Sequence, residues 1–231
     1  MSNQNIKIAL DGPSGAGKST LARALSEKLG YLYVDTGAMY RTVGVYAAKN
    51  GIDPHDENTL TEHFNNIKIE MKWETDSDGN SKQKMYLCGE DVTGQIRTPE
   101  ASMYASAVSA LPAVRSFLFD MQRSIADKNS VIMDGRDIGT VILPDAQVKI
   151  FMSATPEARA KRRYKELIQK GENVTFEKVL SDMIQRDKND AERDAAPCVP
   201  AKDAILFDNT ELGFDEMVQE ALKIIKERLS V

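Results

Sequence analysis

The segment from Gly12 to Ser19 has the residue types and the spacing of a loop that binds phosphate groups. It reads Gly-Pro-Ser-Gly-Ala-Gly-Lys-Ser, the complete G-x-x-x-x-G-K-S pattern, and it follows a mostly apolar run at 6–10. Glycines let the backbone turn with its N–H groups pointing inward, and Lys18 adds a positive charge for the outer phosphates. Ser19 is the expected hydroxyl ligand of Mg²⁺. The sequence therefore predicts that the chain binds a nucleoside triphosphate.

Strands and helices that alternate along the chain must position this loop. Short apolar strands are predicted at 6–10, 31–34, 131–133, 148–152 and 205–207, and amphipathic helices at 20–29, 100–109, 112–127, 157–170, 175–188 and 214–229. This alternation favours an α/β fold with a central parallel sheet flanked by helices. Ligands of such sheets bind at the carboxyl ends of the strands, where the loop and the residues after the second and third strands would meet.

One region departs from this pattern. Residues 67–74 and 84–87 alternate apolar and polar side chains on either side of a turn signal at 76–80. Such alternation is typical of an exposed antiparallel hairpin, and a second turn at 89–91 could lead to a third short strand. We therefore interpret residues of about 63–97 as a hairpin inserted into the α/β core.

The overall composition excludes several classes of partner. The formal net charge of −5 provides no basic excess for a nucleic acid, and the sequence contains no stretch of ~20 apolar residues that could span a membrane. Two cysteines are too few for a disulfide framework or a metal site of four cysteines. We expect a cytoplasmic monomer that binds small molecules.

A compact polar group follows the second predicted strand, where residues 35–41 read Asp-Thr-Gly-Ala-Met-Tyr-Arg. Arg41 could hold a phosphate through two parallel hydrogen bonds. Alternatively, Asp35 or Thr36 caps a helix and Arg41 is solvated. The residues alone leave the two interpretations about even, and the phosphate loop at the same edge of the sheet favours the first.

A second polar group, Asp134-Gly135-Arg136-Asp137, follows the strand at 131–133. A carboxylate that holds Mg²⁺ through a bound water is expected at this strand end in a phosphate-loop enzyme. Arg136 could hold an acceptor phosphate, while one aspartate faces the metal and the other a polar group of the substrate. A salt-bridged turn is the weaker alternative, because a charged turn there would have to avoid the nucleotide. The residues do not decide which aspartate takes which role.

Two further charge clusters lie in the last third of the chain. Five of the seven residues 159–165 are positively charged, which favours a lid that closes over the triphosphate, although a solvated basic face would give the same pattern. Arg186, Asp190 and Arg193 are spaced i, i+4 and i+7. From the residues alone, this spacing indicates ion pairing along a helix surface.

Five segments resemble the bacterial cytidylate kinases and are spread over nearly the whole chain. They are Asp11–Ser19, Asp35–Arg41, Ile96–Arg97, Asp134–Thr140 and Arg186–Asp190. Many families share the phosphate loop, whereas the D-[ST]-G-A-x-Y-R and D-G-R-D-x-G-T patterns are specific. The resemblance implies the fold of P-loop nucleoside monophosphate kinases as a single domain over 1–231, with a monophosphate-binding insertion at about 37–112 and a helical lid at about 155–170. It also implies transfer of the γ-phosphoryl group of ATP to CMP or dCMP with Mg²⁺, in pyrimidine nucleotide metabolism.

The resemblance further implies a role for each residue at a matching position. The ATP phosphates would be bound by Gly12, Pro13, Ser14, Gly15, Ala16, Gly17, Lys18, Ser19 and Thr20. The acceptor CMP would be bound by Thr36, Arg41, Ser106, Arg115, Arg136, Asp137, Arg186, Asp190 and Arg193. Catalysis would depend on Lys18, Arg136, Arg159, Arg162 and Arg163, and Mg²⁺ would be held by Ser19 and, through water, by Asp134.

Within the acceptor set, the resemblance assigns each residue to one part of the nucleotide. Arg41, Arg136 and Thr36 would lie at the phosphate. Ser106, Arg115, Asp137 and Arg193 would surround the cytosine, and Arg186 and Asp190 would lie at the sugar. These roles replace the interpretation of the 186–193 cluster as surface pairing.

Two rival functions differ from this expectation. A kinase of the same fold that acts on another small acceptor would carry a different segment after the second strand. A GTP-dependent switch protein would carry an Asn-Lys-x-Asp segment that reads guanine, and the sequence contains none.

Overall fold

A computed structural model describes residues 5–75, 81–169 and 171–229, so the turn predicted at 76–80 lies outside the described residues. The strands are β1 Lys7–Asp11, β2 Leu32–Asp35, β3 Ile69–Thr75, β4 Ser81–Leu87, β5 Glu90–Asp91, β6 Val131–Asp134, β7 Val148–Ser153 and β8 Ile205–Asp208. The α-helices are α1 Lys18–Leu29, α2 Thr36–Lys49, α3 Glu57–Glu62, α4 Pro99–Val108, α5 Pro112–Lys128, α6 Pro156–Gln169, α7 Phe176–Glu192 and α8 Phe214–Leu229.

The central sheet has the strand order β2-β6-β1-β7-β8. β1 pairs in parallel with both β6 and β7, and β8 pairs in parallel with β7. The apolar side chains of β1, β6 and β7 are buried except for the half-buried Phe151, as expected for strands covered on both faces. The parallel sheet flanked by helices confirms the predicted fold class, and each predicted strand of the sheet is present to within one or two residues.

The described residues form two compact units, one containing residues up to Tyr33 and from Ile125 onward, the other Val34–Ser124. The first unit is built on β1, whose Ile8 and Leu10 are fully buried in one cluster with residues of α1, β7 and α8. None of the described helices is long and apolar enough to cross a membrane.

The unit formed by 34–124 combines a helical pair with a small sheet. Helix α2 packs closely against α4, where a Cβ on Gly44 would lie only 2.8 Å from the Cβ of Tyr104. The antiparallel sheet β3-β4-β5 has Ile69 opposite Leu87, and the second turn does lead to the short strand β5. The predicted hairpin is therefore confirmed. The short helix α3 and the π-helical segment Ile138–Ile142 were not predicted.

Candidate active site

The phosphate loop lies between the end of β1 and the start of α1, as its spacing predicts. Its glycines at 12, 15 and 17 have φ angles of 140°, 74° and 88°, which side chains rarely tolerate. At Gly12 the packing also excludes a side chain, because a Cβ would lie 2.1 Å from the carbonyl oxygen of Met152. The loop can therefore pack this closely against Met152 of β7 only with glycine at position 12.

Lys18 lies inside the loop rather than in solvent. Its ammonium group donates to the carbonyl oxygens of Gly12 and Pro13, each at 2.7 Å, and the residue is 6% exposed. Burial and, less strongly, the neighbouring charge of Arg136 lower the pKa of Lys18 to about 7, although Asp134 opposes the shift. An added phosphate, being an anion, would favour the charged form of this ammonium.

Asp134 ends β6 and contacts the first turn of α1. Its Oδ2 accepts a hydrogen bond of 2.9 Å from the Ser19 hydroxyl, and its Oδ1 accepts one of 3.1 Å from the hydroxyl of Tyr33. The pairing with Ser19 joins the hydroxyl and the carboxylate that the sequence predicted for Mg²⁺. Tyr33 was not predicted, although a hydroxyl in an otherwise apolar strand is a signal that could have pointed to it.

The hydroxyl of Ser19 and the carboxylate of Asp134 have the oxygen atoms that Mg²⁺ prefers, and binding of the ion here stays a prediction. Mg²⁺ is usually bound by one or two protein oxygens and completes its shell with phosphate oxygens and water. Among the described residues, no three His, Cys, Asp or Glu side chains cluster as a metal cage, so the protein part of such a site is limited to a small set like Ser19 and Asp134.

Two arginines of the predicted lid are bonded to the phosphate loop and its surroundings. Arg159 is 3% exposed; it donates to the carbonyl oxygen of Ser14 at 2.9 Å, and it is also paired with the carboxylate of Asp187 in α7. Arg162 donates to the carbonyl oxygen of Asn209 at 2.7 Å. Arg163 pairs with Glu166 on the partly exposed face of α6. Movement of this segment as a lid stays a prediction.

Asn209 holds the loop from the opposite side. Its side-chain amide is almost fully buried and donates to the carbonyl oxygen of Ala16 at 2.7 Å, while its Oδ1 accepts from Arg162 at 3.3 Å. This contact was not predicted from the sequence, because the partners are 193 residues apart. The signal available was the polar Asp-Asn-Thr segment that follows β8.

A cluster of opposite charges connects the end of β6 with α7. Arg136 donates to Asp190 at 2.9 Å, and Arg193 lies 3.5 Å from a carboxylate oxygen of Asp137. Burial alone would raise the pKa of Asp190, but Arg136, Arg186 and Arg193 outweigh it and lower that pKa. The 186–193 segment is therefore part of a buried charge network, and the interpretation as pairing along a helix surface is wrong.

The predicted acceptor residues of the other unit lie near the start of α2 and around the end of α4. Asp35 caps α2 by accepting from the N–H of Ala38 at 2.9 Å and also accepts from Arg41 at 2.8 Å, so Arg41 is ion-paired rather than solvated. Arg115 lies over the ring of Tyr40, at 5.6 Å from its centroid. Arg115 also donates to the carbonyl oxygen of Ser109. The hydroxyl of Ser109 in turn donates to the carbonyl oxygen of Ser106.

These contacts agree with the helix cap of the second interpretation of the 35–41 segment but not with its solvated Arg41. The cap at Asp35 explains the aspartate, as the structural alternative required. Binding of a phosphate by Arg41 stays a prediction, and Thr36, which is almost fully buried at the start of α2, stays a predicted substrate contact.

Comparison with known proteins gives a family for this site. The model of the family described as cytidylate kinase matches residues 8–227. The chain belongs to the cytidylate kinase family. The cytidylate kinase of Thermosipho melanesiensis is 49% identical over 222 residues, covering 96% of this chain and 97% of that protein. The cytidylate kinase of Caldicellulosiruptor bescii is 49% identical over 221 residues, covering 96% of each chain.

The solved structures resemble this member of the cytidylate kinase family at the level of the fold. An uncharacterized protein from Eubacterium ventriosum matches with a TM-score of 0.50 and 14% identity, covering 96% of this chain and 99% of that chain. The family assignment therefore rests on the sequence relatives and confirms the resemblance inferred from the five segments.

Proposed function

We propose that this chain transfers the γ-phosphoryl group of ATP to CMP or dCMP, giving the nucleoside diphosphate and ADP. Membership of the cytidylate kinase family supports the reaction and makes the chain a kinase of pyrimidine nucleotide metabolism. The observation that carries the proposal is the buried Lys18 inside a complete phosphate loop, next to the bonded pair of Ser19 and Asp134. This arrangement is what a phosphoryl-transfer enzyme needs on its donor side.

On the donor side, residues 12–20 would surround the ATP phosphates, with the backbone N–H groups of all of them except Pro13. Lys18 would contact the outer phosphates with its ammonium group in place of the loop carbonyls. Ser19 would hold Mg²⁺ directly and Asp134 through water, and the ion would neutralise part of the phosphate charge. Arg159 and Asn209, through Ser14 and Ala16, would keep the loop in shape.

On the acceptor side, cytosine would be recognised by Asp137 and by the polar groups next to it. The exocyclic amino group of cytosine donates a hydrogen bond where uracil has a carbonyl oxygen, and Asp137 is a buried carboxylate with Arg193 beside it. Arg41 and Arg136 would hold the phosphate with Thr36 beside them. Ser106, Arg115 and Arg193 would complete the base site, and Arg186 and Asp190 would contact the sugar.

The reaction requires alignment and positive charge more than covalent help from the protein. The phosphoryl group passes through a transition state whose negative charge is spread over its oxygens. Holding both nucleotides in line removes much of the entropic barrier, and positive charge from Lys18, Arg136 and the arginines at 159, 162 and 163 stabilises the migrating group.

The domain organisation, the oligomeric state and the location in the cell complete the proposal. We propose one kinase domain over 1–231, with the insertion at about 37–112 and the lid at about 155–170. We also propose that the protein acts as a monomer in the cytoplasm. Light scattering of the purified protein tests the monomer, since a mass of twice 25.6 kDa would show a dimer.

The proposed role of Asp137 is tested by its selectivity. Asp137→Ala should lower the ratio of kcat/KM for CMP over UMP by ~10- to 100-fold, because an unpaired amino group costs ~1–3 kcal/mol. The KM for ATP should change less than ~3-fold, because this change removes no donor-side contact. Asp182→Ala, which removes an exposed carboxylate of α7, is the control and should leave both values unchanged. An unaltered CMP preference in Asp137→Ala would refute the assignment.

A further inference from the structure

Asp11, the residue just before the phosphate loop, contacts the segment that follows Asp137. Its two carboxylate oxygens accept separate hydrogen bonds from the N–H groups of Ile138 and Gly139, each at 2.7 Å. Asp11 is 4% exposed, so water does not replace these bonds. The carboxylate thus joins two stretches of chain that are 127 residues apart.

These N–H groups belong to the first turn of the π-helical segment Ile138–Ile142, which begins after Asp137. The N–H groups of a first helical turn have no partner within the helix, and an aspartate at the position just before it usually accepts one of them. Asp137 occupies that position, yet its side chain makes no capping hydrogen bond. Asp11 accepts in its place, and a carboxylate oxygen of Asp137 lies instead near Arg193.

The packing around Gly139 shows that this approach is close. A Cβ at Gly139 would lie 3.2 Å from Asp11 Oδ2 and 3.2 Å from the Cδ of Lys149, so a side chain there would require the carboxylate, the lysine side chain or the segment itself to shift by a few tenths of an ångström. Burial and, less strongly, the charge of Asp137 raise the pKa of Asp11 to about 6, although the two backbone N–H groups oppose this shift. The two carboxylates therefore repel each other, which also opposes a turn of Asp137 toward its own segment.

We propose that Asp11 is a positioning residue for acceptor recognition: it caps the 138–142 segment in place of Asp137 and thereby keeps the Asp137 carboxylate directed to the cytosine. This inference rests on the proposed function and adds to it a residue that touches neither nucleotide. It also links the donor and acceptor halves of the reaction, because the same residue leads directly into the phosphate loop.

The test is Asp11→Asn, which keeps the size of the side chain but replaces one acceptor oxygen with a donor group. The vacated N–H would then attract the Asp137 carboxylate. The KM for CMP should rise about 10-fold, the value expected for the loss of one hydrogen bond to a charged group, and the CMP over UMP preference should fall. The KM for ATP should change less than about 2-fold, because the phosphate-loop contacts are retained. Asp127→Asn is the control, because it changes an exposed carboxylate that pairs with Lys7, a residue of β1 like Asp11. This variant should change neither KM.

A double-mutant cycle separates positioning from a general loss of structure. In the Asp137→Ala background, Asp11→Asn should have no further effect on the KM for CMP, because its effect passes through Asp137. Additive effects, or an unchanged KM for CMP in folded Asp11→Asn, would overturn the proposal. If Asp11→Asn does not fold, Gly139→Ala provides the same cycle by displacing the segment. Failure of both variants to fold would assign Asp11 to stability alone. Wild-type protein that does not use CMP at all would instead refute the proposed function.

Discussion

The phosphate loop and the β3-β4-β5 sheet hold their charged groups in opposite ways. In the loop, Lys18 is buried and bonded to two carbonyl oxygens, and Arg159 reaches the loop from α6. In the sheet, Lys84 pairs with Glu74 and Asp91 at 3.1 and 3.2 Å, and all three side chains are at least 36% exposed. A charged group in a site that excludes water interacts strongly with a ligand, whereas exposed ion pairs contribute little to stability. The difference indicates that the loop is arranged for chemistry and that the pairs of the sheet are a solvated surface.

The largest expected effect follows from removing the buried ammonium of the loop. Lys18→Met should lower kcat by ~10³-fold, because it removes a preorganised positive charge from the migrating phosphoryl group. The rate of ADP release with ATP and CMP measures this effect. Lys84→Met, the same change in the sheet, is the matched control. A loss of similar size in both variants would erase the contrast between the two regions.

A second variant tests how the loop is held. Arg159→Met leaves the carboxylate of Asp187 and the carbonyl oxygen of Ser14 without their buried partner. Breaking a buried pair in this way should lower the free energy of unfolding by ~3 kcal/mol, as measured by urea denaturation. Arg163→Met, which breaks the partly exposed pair with Glu166, should shift the urea midpoint far less. Equal shifts would show that Arg159 is not a buried support of the loop.

The pH dependence of stability provides a third test at Asp11. Its pKa is about 6 in the folded chain and 3.8 in the unfolded reference, so the folded state holds this proton more tightly. The stabilisation of the folded state by this tighter proton binding is therefore fully present below pH 3.8 and is lost as the pH rises through about 6. Between these values the wild type should lose about 2 to 3 kcal/mol relative to Asp11→Asn. Urea denaturation at a series of pH values measures the difference, and parallel curves would contradict the assignment.

The smallest effect is expected in the sheet. Lys84→Met removes the pairs with Glu74 and Asp91, both of which are exposed. Exposed pairs of this kind are screened by salt and lose side-chain entropy when they form. The thermal midpoint and the rate of turnover should therefore remain at the wild-type values. A clear loss of either would show that these exposed charges do more than cover a surface.

The same contrast explains which features the sequence predicted. The loop glycines and the alternation of the hairpin are local patterns, and the structure has them where the patterns place them. Periodicity also placed the strands of the central sheet to within one or two residues. Such features depend on neighbouring residues, so a single sequence contains the whole signal.

The remaining features depend on residues that are distant in the chain. Asp11 meets Gly139, Asn209 meets Ala16, and Arg136 meets Asp190, and no local pattern joins these pairs. Arg186, Asp190 and Arg193 have the spacing of ordinary ion pairs along a helix. Only the contact between Arg136 and Asp190 shows that Asp190 is buried among arginines. The acceptor roles came from the family resemblance and stay predictions.

The most direct test of the central claim is ADP release with ATP and Mg²⁺, comparing CMP, dCMP, UMP, AMP and dTMP as acceptors under identical conditions. We predict rapid turnover with CMP and dCMP only, since in the proposed site the carboxylate of Asp137 would accept from the amino group of cytosine and would not pair with the carbonyl oxygen of uracil or thymine. Turnover that prefers another acceptor would contradict the cytosine site while leaving the phosphate loop intact. Hydrolysis of ATP without phosphorylation of any acceptor would contradict the proposed kinase reaction itself.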